Sequence, residues 1–208
     1  MSVYWNLKNI NQRLLNTSYL STATQIKHKT KRNQGKCLEL SAGDGLFSLA
    51  MAQITELDIF LLENSTEMLK RAEINLKNSN LENRIHLLKG SLHQIPLSDG
   101  VMDLIISRSS VFFWRNQVKA FAEIYRVLAP GGIACIGGGF WNEEYQLKLH
   151  QIILQNHHQL ENTQLWRQNP EKLKMKLATA GITTYEINYC DQGLWIVCRK
   201  PDLCKEVS

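Results

Sequence analysis

"CLELSAGDGLFSLA" occupies residues 37–50. Leu38 and Leu40 place apolar side chains at alternate positions, small residues then surround Gly43 and Gly45, and an apolar-rich segment resumes. This pattern predicts a strand, a tight turn and the start of a helix, with Leu46, Leu49 and Ala50 on one helical face. A glycine turn between a strand end and a helix start lets backbone N–H groups approach a nucleotide-like ligand. Gly43, Gly45 and Ser48 approximate the G-x-G-x-x-G/A pattern of dinucleotide binding, with serine off-pattern in the third place.

Downstream, strands and helices alternate. Residues 58–63, DIFLLE, form a short apolar strand that ends in an acid. A helix follows, capped by Ser65 or Thr66 and spaced by Met68, Leu69, Ala72 and Leu76. Residues 84–90 and 102–110 read as strands, joined by an irregular connection containing Pro96 and a turn at Asp99-Gly100. The next helix buries Val118, Phe121, Ala122, Ile124, Tyr125 and Leu128, and Pro130 with Gly131 and Gly132 stops it. IACIGGGF is then a strand with a glycine-rich turn at its end, where Gly137–Gly139 serve as a loop exit or leave room for a ligand. Helices are expected over residues 143–160 and 169–182. The last two strands are joined by only Asp191-Gln192-Gly193, which requires an antiparallel pair. The chain is therefore expected to be α/β: a Rossmann-like, doubly wound, seven-stranded and mostly parallel sheet with a C-terminal antiparallel hairpin strand.

The bulk numbers fit one ordinary globular unit: 208 residues, 44% hydrophobic and 21% charged. No apolar run approaches the roughly 18 residues that span a bilayer, and the first residues lack a signal-peptide pattern, so a cytoplasmic location is expected. The five cysteines, Cys37, Cys135, Cys190, Cys198 and Cys204, have no C-x-x-C spacing; they read as reduced thiols, and no metal site is expected. The formal charge of +5 owes much to KHKTKR at residues 27–32, which reads as a solvated, basic approach to the first strand. One short run without interleaved aromatics argues little for nucleic acid as a partner. Residues 1–34 are expected to be a helical cover, with spacing at Leu7, Ile10, Leu14 and Leu15, lying over the carboxyl ends of the sheet. Residues 35–208 form the main domain.

Four blocks resemble the class I S-adenosylmethionine-dependent methyltransferases, in the small-molecule branch that includes the ubiquinone-biosynthesis type. LELSAGDG is similar to the first motif, LLENSTEMLKRA to the second, LLKGSLHQIPLSDGVMDLIISR to the adenine-binding block with the fourth strand, and IYRVLAPGGIACI to the helix–PGG–strand signature. The resemblance implies S-adenosylmethionine as cofactor and in-line methyl transfer to a small-molecule acceptor, for which a dedicated base is optional and no residue stands out as one. Two alternatives stand beside it: a nicotinamide-dependent oxidoreductase, and a catalytically inactive S-adenosylmethionine-binding protein.

The same resemblance implies roles for individual residues. Glu39 holds the methionine end of the cofactor, partly through water; an unpaired buried carboxylate would otherwise be costly, and a local salt bridge is the other reading. Ser41 stands where the first glycine of the motif is usual, and Gly43 and Gly45 allow close backbone approach. Glu63 accepts both ribose hydroxyls, or serves as a helix N-terminal charge. Asn64 and Met68 flank the ribose and adenine, or only pack. Ser91, where an aspartate is common, and Leu92 meet the adenine, while Ser107 lies near the sulfonium. For the acceptor, Arg108 binds an acidic group or pairs with an acid of the cover, and Tyr4, Trp5 and Trp114 are candidate pocket walls.

Overall fold

The computed structural model describes residues 12–139, 169–190 and 193–202. The helix expected over residues 143–160, and the candidate walls Tyr4 and Trp5, lie outside the described residues. Seven strands form one sheet: β1 (Gln34–Leu40), β2 (Glu56–Glu63), β3 (Ile85–Lys89), β4 (Met102–Arg108), β5 (Leu128–Gly139), β6 (Tyr185–Cys190) and β7 (Gly193–Arg199). Their order is β3-β2-β1-β4-β5-β7-β6. β1 to β5 pair in parallel, and β7 runs antiparallel to both β5 and β6. β6 and β7 are antiparallel as expected, and β7 lies between β5 and β6.

Helices cover both faces. Apolar residues on α4 (Gln117–Val127) and α5 (Pro170–Thr179) pack with Leu38, Leu40, Ile105 and Ile136 on one side. On the other, α1 (Gln12–Thr30), α2 (Leu46–Ile54) and α3 (Thr66–Lys77) pack with Cys37, Ile59, Leu104 and Ile106. Consecutive strand residues face opposite layers, so β1 sends Cys37 and Glu39 toward α2 and Leu38 and Leu40 toward α4. Local sequence sets the helix ends. Ser65 accepts from Met68 N–H at α3, Asn116 from Lys119 N–H at α4, and Asn169 caps α5 with Pro170 in its first turn.

α1 packs on the α2 side of the sheet, and its Tyr19 meets Arg108 at the carboxyl end of β4 (4.4 Å); Leu7 and Ile10, on which the expected cover partly rested, lie outside the described residues. Ala23 and Ile26 of α1 are buried in the α2-side core with Phe47, Trp195 and Val197, and Tyr19 meets Phe47 edge-on at 6.3 Å. The basic run, which the sequence suggested to be solvated, is not simply so: Lys27 Nζ donates to Ile54 O (2.5 Å), Lys29 pairs with Glu186 (3.5 Å) and the Arg32 guanidinium donates to Gly131 O (2.5 Å). Gly137–Gly139 also differ from expectation, being the end of β5, opposite Trp195, Leu194 and Gly193 of β7, rather than a turn. Close approach explains the glycines. A Cβ on Gly137 would run into Leu194 O and Trp195 Cα, and one on Gly138 would lie 2.8 Å from Ser109 Cα. Cys37, Cys135 and Cys198 are free thiols in the core, and burial pushes Cys135 and Cys198 up to about 12.

Candidate active site

The chain leaves β1 for β2 on one side and reaches β4 on the other, so the strand order reverses between β1 and β4. In open parallel sheets this reversal opens a crevice at the carboxyl ends. A cleft of about 560 Å³ lies there, and Ser41, Glu63, Asn64, Ser91, Leu92 and Trp114 among the expected residues line it.

The turn after β1 is built on left-handed backbone. Ser41 has φ 53°, Gly43 61° and Gly45 77°. The two glycines take this region without strain, whereas Ser41 pays a steric penalty through its Cβ. Gly45 has a packing reason as well, since a Cβ there would lie 2.8 Å from Leu61 Cδ1. At Gly43 a Cβ would meet nothing within 4 Å, and its N–H donates to Glu63 Oε2 at 3.0 Å. Glu63 ends β2. Its Oε1 accepts from the N–H groups of Asn64 and Ser65, both at 2.8 Å. Three backbone donors therefore fix this carboxylate in the cleft wall and tie the β1 turn to the β2 end. A carboxylate offers about four acceptor sites, so capacity for a ligand hydroxyl remains.

The opposite wall comes from two connections. After β3, Gly90 is closely packed: a Cβ there would lie 2.8 Å from Pro96 Cδ and 2.9 Å from Leu62 Cδ1. Ser91 Oγ accepts from His93 N–H at 3.1 Å, and Leu92 packs on the α4-side core. Arg126 of α4 holds this connection, donating to Leu97 O (2.8 Å), Ile95 O (2.9 Å), Asp99 and Glu123. After β4, Ser110 precedes a 3₁₀ turn, Val111–Phe113, and Trp114. Trp114 Nε1–H donates to Ser110 Oγ at 3.0 Å, and its ring meets Phe121 edge-on at 5.6 Å.

Several expected residues stand elsewhere. Met68 is half-buried on α3 and is not in the cleft lining. Ser107 is fully buried, its hydroxyl 2.5 Å from Ser110 Oγ. Glu39 is buried on the α2 side, where its carboxylate accepts a hydrogen bond from Ser48 Oγ. Burial pushes its pKa up to about 7; the Ser48 bond and the Arg108 charge pull it down, and Asp44 raises it. Arg108 faces the same layer as Leu104 and Ile106. Its guanidinium lies 4.4 Å from the Tyr19 ring centroid and 5.8 Å from that of Phe47. Strand alternation turns Arg108 toward α1 and α2, where it stacks on aromatic rings, and it is not among the residues that line the cleft. Sequence reasoning passed over Leu62, Gly90, His93, Ser110, Phe113 and Arg115, which also line the cleft. The signal for the last three was their place just beyond the carboxyl end of β4, between the strand and the helix cap Asn116.

Residues 38–136 match the family described as a methyltransferase domain. The ubiquinone/menaquinone biosynthesis C-methyltransferase of Blochmanniella floridana is 27% identical over 109 residues, which is 51% of this chain and 43% of that protein. The malonyl-[acyl-carrier protein] O-methyltransferase of Geobacter sulfurreducens is 32% identical over 125 residues, 56% of this chain and 45% of that protein. The chain spans about half the length of these curated relatives or less. A crystal structure from Methanococcus maripaludis, carrying the designation "putative S-adenosyl-l-methionine-dependent methyltransferase", is 34% identical with a TM-score of 0.88, over 95% of this chain and 91% of that one. These likenesses leave the nicotinamide-dependent alternative without support. With its glycine turn, its acid at the end of β2 and identity along nearly the whole length of the Methanococcus protein, the chain belongs to the S-adenosylmethionine-dependent methyltransferases.

Proposed function

We propose that this protein methylates a small-molecule acceptor, using S-adenosylmethionine held in the cleft at the β1/β4 reversal. The observation that carries the reading is Glu63, an acid fixed by the Gly43, Asn64 and Ser65 N–H groups in the wall of that cleft. The residues present fit the cofactor. Glu63 is an acceptor for ribose hydroxyls, Leu62 and Leu92 offer apolar surface to a flat base, and Ser91 offers a hydroxyl to its edge. Asn64 stands beside the ribose in this reading, Ser41, Gly43 and Gly45 form the turn under the ligand, and Glu39 supports that turn from below. Bound S-adenosylmethionine supplies a methyl group already activated on a sulfonium. The task left to the chain is to bind, orient and exclude water, which alone can account for large rate gains. Trp114 and Phe113 supply apolar surface at the acceptor side of the cleft.

The reading includes a helical cover, residues 1–34, on a methyltransferase domain, residues 35–208, and a cytoplasmic location. No helix among the described residues is long and apolar enough to cross a membrane. The acceptor classes to try first are those in the relatives' names: a quinone precursor and a malonyl thioester. The test is titration calorimetry with S-adenosylmethionine and with NAD, followed by methyl-labelled S-adenosylmethionine and a panel of those acceptors. Binding of S-adenosylmethionine and release of S-adenosylhomocysteine with a labelled product are expected. Binding of NAD alone would refute the reading, and cofactor binding without turnover on any acceptor would favour the inactive alternative.

A further inference from the structure

Ser110 sits at the centre of a small polar cluster whose hydrogens can be counted. Trp114 Nε1–H can only donate, and it donates to Ser110 Oγ at 3.0 Å. Ser107 Oγ lies 2.5 Å from the same oxygen. Ser107 is fully buried, and among the described residues Ser110 is the one hydrogen-bond partner of its hydroxyl. If Ser110 donated to Ser107, the Ser107 hydrogen would be left buried without an acceptor, a costly arrangement. The shared hydrogen therefore runs from Ser107 to Ser110. Ser110 Oγ then accepts twice, which fills both its lone pairs and leaves its own O–H as the one hydrogen of the cluster without an acceptor among the described residues. Ser110 lines the cleft, so that hydrogen is available there as a donor.

The backbone around it is built to hold this position. Ser109 is left-handed at φ 59°, a costly conformation for a residue with a Cβ. Its N–H donates to Gly137 O at 2.5 Å, and Gly138 makes room for its Cα. Ser110 also precedes a helical turn, where a serine normally caps, but its side chain makes no capping bond.

We propose that Ser110 donates this hydrogen to an acceptor atom of bound S-adenosylmethionine, so that the cofactor contact expected of buried Ser107 is relayed to Ser110. The inference rests on the cofactor reading above. The acceptor atom is an oxygen or nitrogen of the nucleoside or a carboxylate oxygen of the amino-acid end, and two probes separate these.

The experiment measures the Kd of S-adenosylhomocysteine and of 5′-methylthioadenosine, which lacks the amino-acid end, by calorimetry. It compares the unmodified protein with Ser110→Ala, Ser110→Cys and Ser110→Thr. Ser110→Ala is expected to weaken S-adenosylhomocysteine roughly 3- to 10-fold, the scale of one net hydrogen bond. Ser110→Cys, nearly the same shape with a weak donor, is expected to lose affinity in the same direction, and Ser110→Thr, which keeps the hydroxyl, to restore it. A loss with both probes assigns the contact to the nucleoside; a loss confined to S-adenosylhomocysteine assigns it to the amino-acid end. Ser110→Ala also removes the acceptor of Trp114 Nε1–H, so melting temperatures are read alongside, and the Cys/Thr pair decides if the alanine variant fails to fold. Equal affinities for the Cys and Thr variants and the unmodified protein would overturn the proposal while leaving the cofactor reading intact. Failure of the unmodified protein to bind either probe would remove both.

Discussion

Replacing Ser41 with glycine should make the protein more stable. Ser41 holds φ 53° at the carboxyl end of β1, where a Cβ costs about 1–2 kcal/mol. Glycine there removes that cost and brings its own backbone entropy loss, about 0.5–1 kcal/mol. The difference lies between about 0 and 1.5 kcal/mol, centred on a stabilisation of about 0.75 kcal/mol. No side-chain hydrogen bond is forfeited, since among the described residues the Ser41 hydroxyl has no partner, and the residue is exposed. For a chain of this size each kcal/mol moves Tm by about 2–4 °C, so a rise of about 1–4 °C is expected in differential scanning calorimetry. Ser41→Ala separates backbone from side chain: alanine also loses the hydroxyl but keeps the Cβ, so it should show no rise. If Ser41→Gly melts at or below the temperature of the unmodified protein, or if Ser41→Ala rises equally, the strain argument fails.

Other consequences follow from the same turns and layers. Glu63→Ala should weaken S-adenosylmethionine by roughly 1.5–3 kcal/mol, the scale of hydrogen bonds to a charged group; calorimetry showing unchanged affinity in a folded variant would remove Glu63 from the site. Gly138→Ala should destabilise by about 1–3 kcal/mol, because the new Cβ meets Ser109 backbone rather than a flexible side chain, and a denaturant midpoint that does not fall would contradict this. Glu39 gives a pH signature. Its folded pKa of about 7 lies above its ordinary value of 4.5, so between these two pH values the folded state binds more protons than the unfolded state. Its contribution to stability is therefore fully present below 4.5 and is lost as pH rises through 7. Glu39→Gln should remove this component, so the variant should gain Tm relative to the unmodified protein as pH goes from 5 to 8; parallel Tm curves would show that Glu39 does not titrate in this window.

Much of this arrangement is written locally. Glu63 is visible because an acid closes an apolar strand just before a capped helix, and the two-residue link before Gly193 leaves β6 and β7 no choice but to reverse. What escapes a linear reading depends on neighbours distant in sequence. Gly137 and Gly138 read as a turn because β7 and Ser109, the reasons for their missing side chains, come from other parts of the chain. Arg108 was legible in principle: Leu104, Ile106 and Arg108 share one side of β4, so an arginine at that place faces α1 and α2. The role of Ser110 was not, because it follows from the burial of Ser107 and the direction of an indole N–H. The Cβ of Ser41 was visible, but its cost depends on a dihedral angle that no residue type specifies.

The packing of α1 also bears on the order in which the molecule can be completed. Ribosomes release the chain from its N-terminus, so α1 emerges early. Yet Ala23 and Ile26 share their core with Trp195 and Val197 of the last described strand, and Lys29 pairs with Glu186. The burial of this segment therefore cannot be completed while most of the sheet is still being synthesised. Its buried face suits that wait. Thr22 donates to Ser18 O at 3.0 Å and Thr30 to Ile26 O at 2.8 Å, so these hydroxyls find acceptors on their own helix. A helix whose inner face is small and partly polar exposes little adhesive surface to other nascent chains. Its final seating joins the first and last parts of the described chain, a closure that comes only when β7 has arrived.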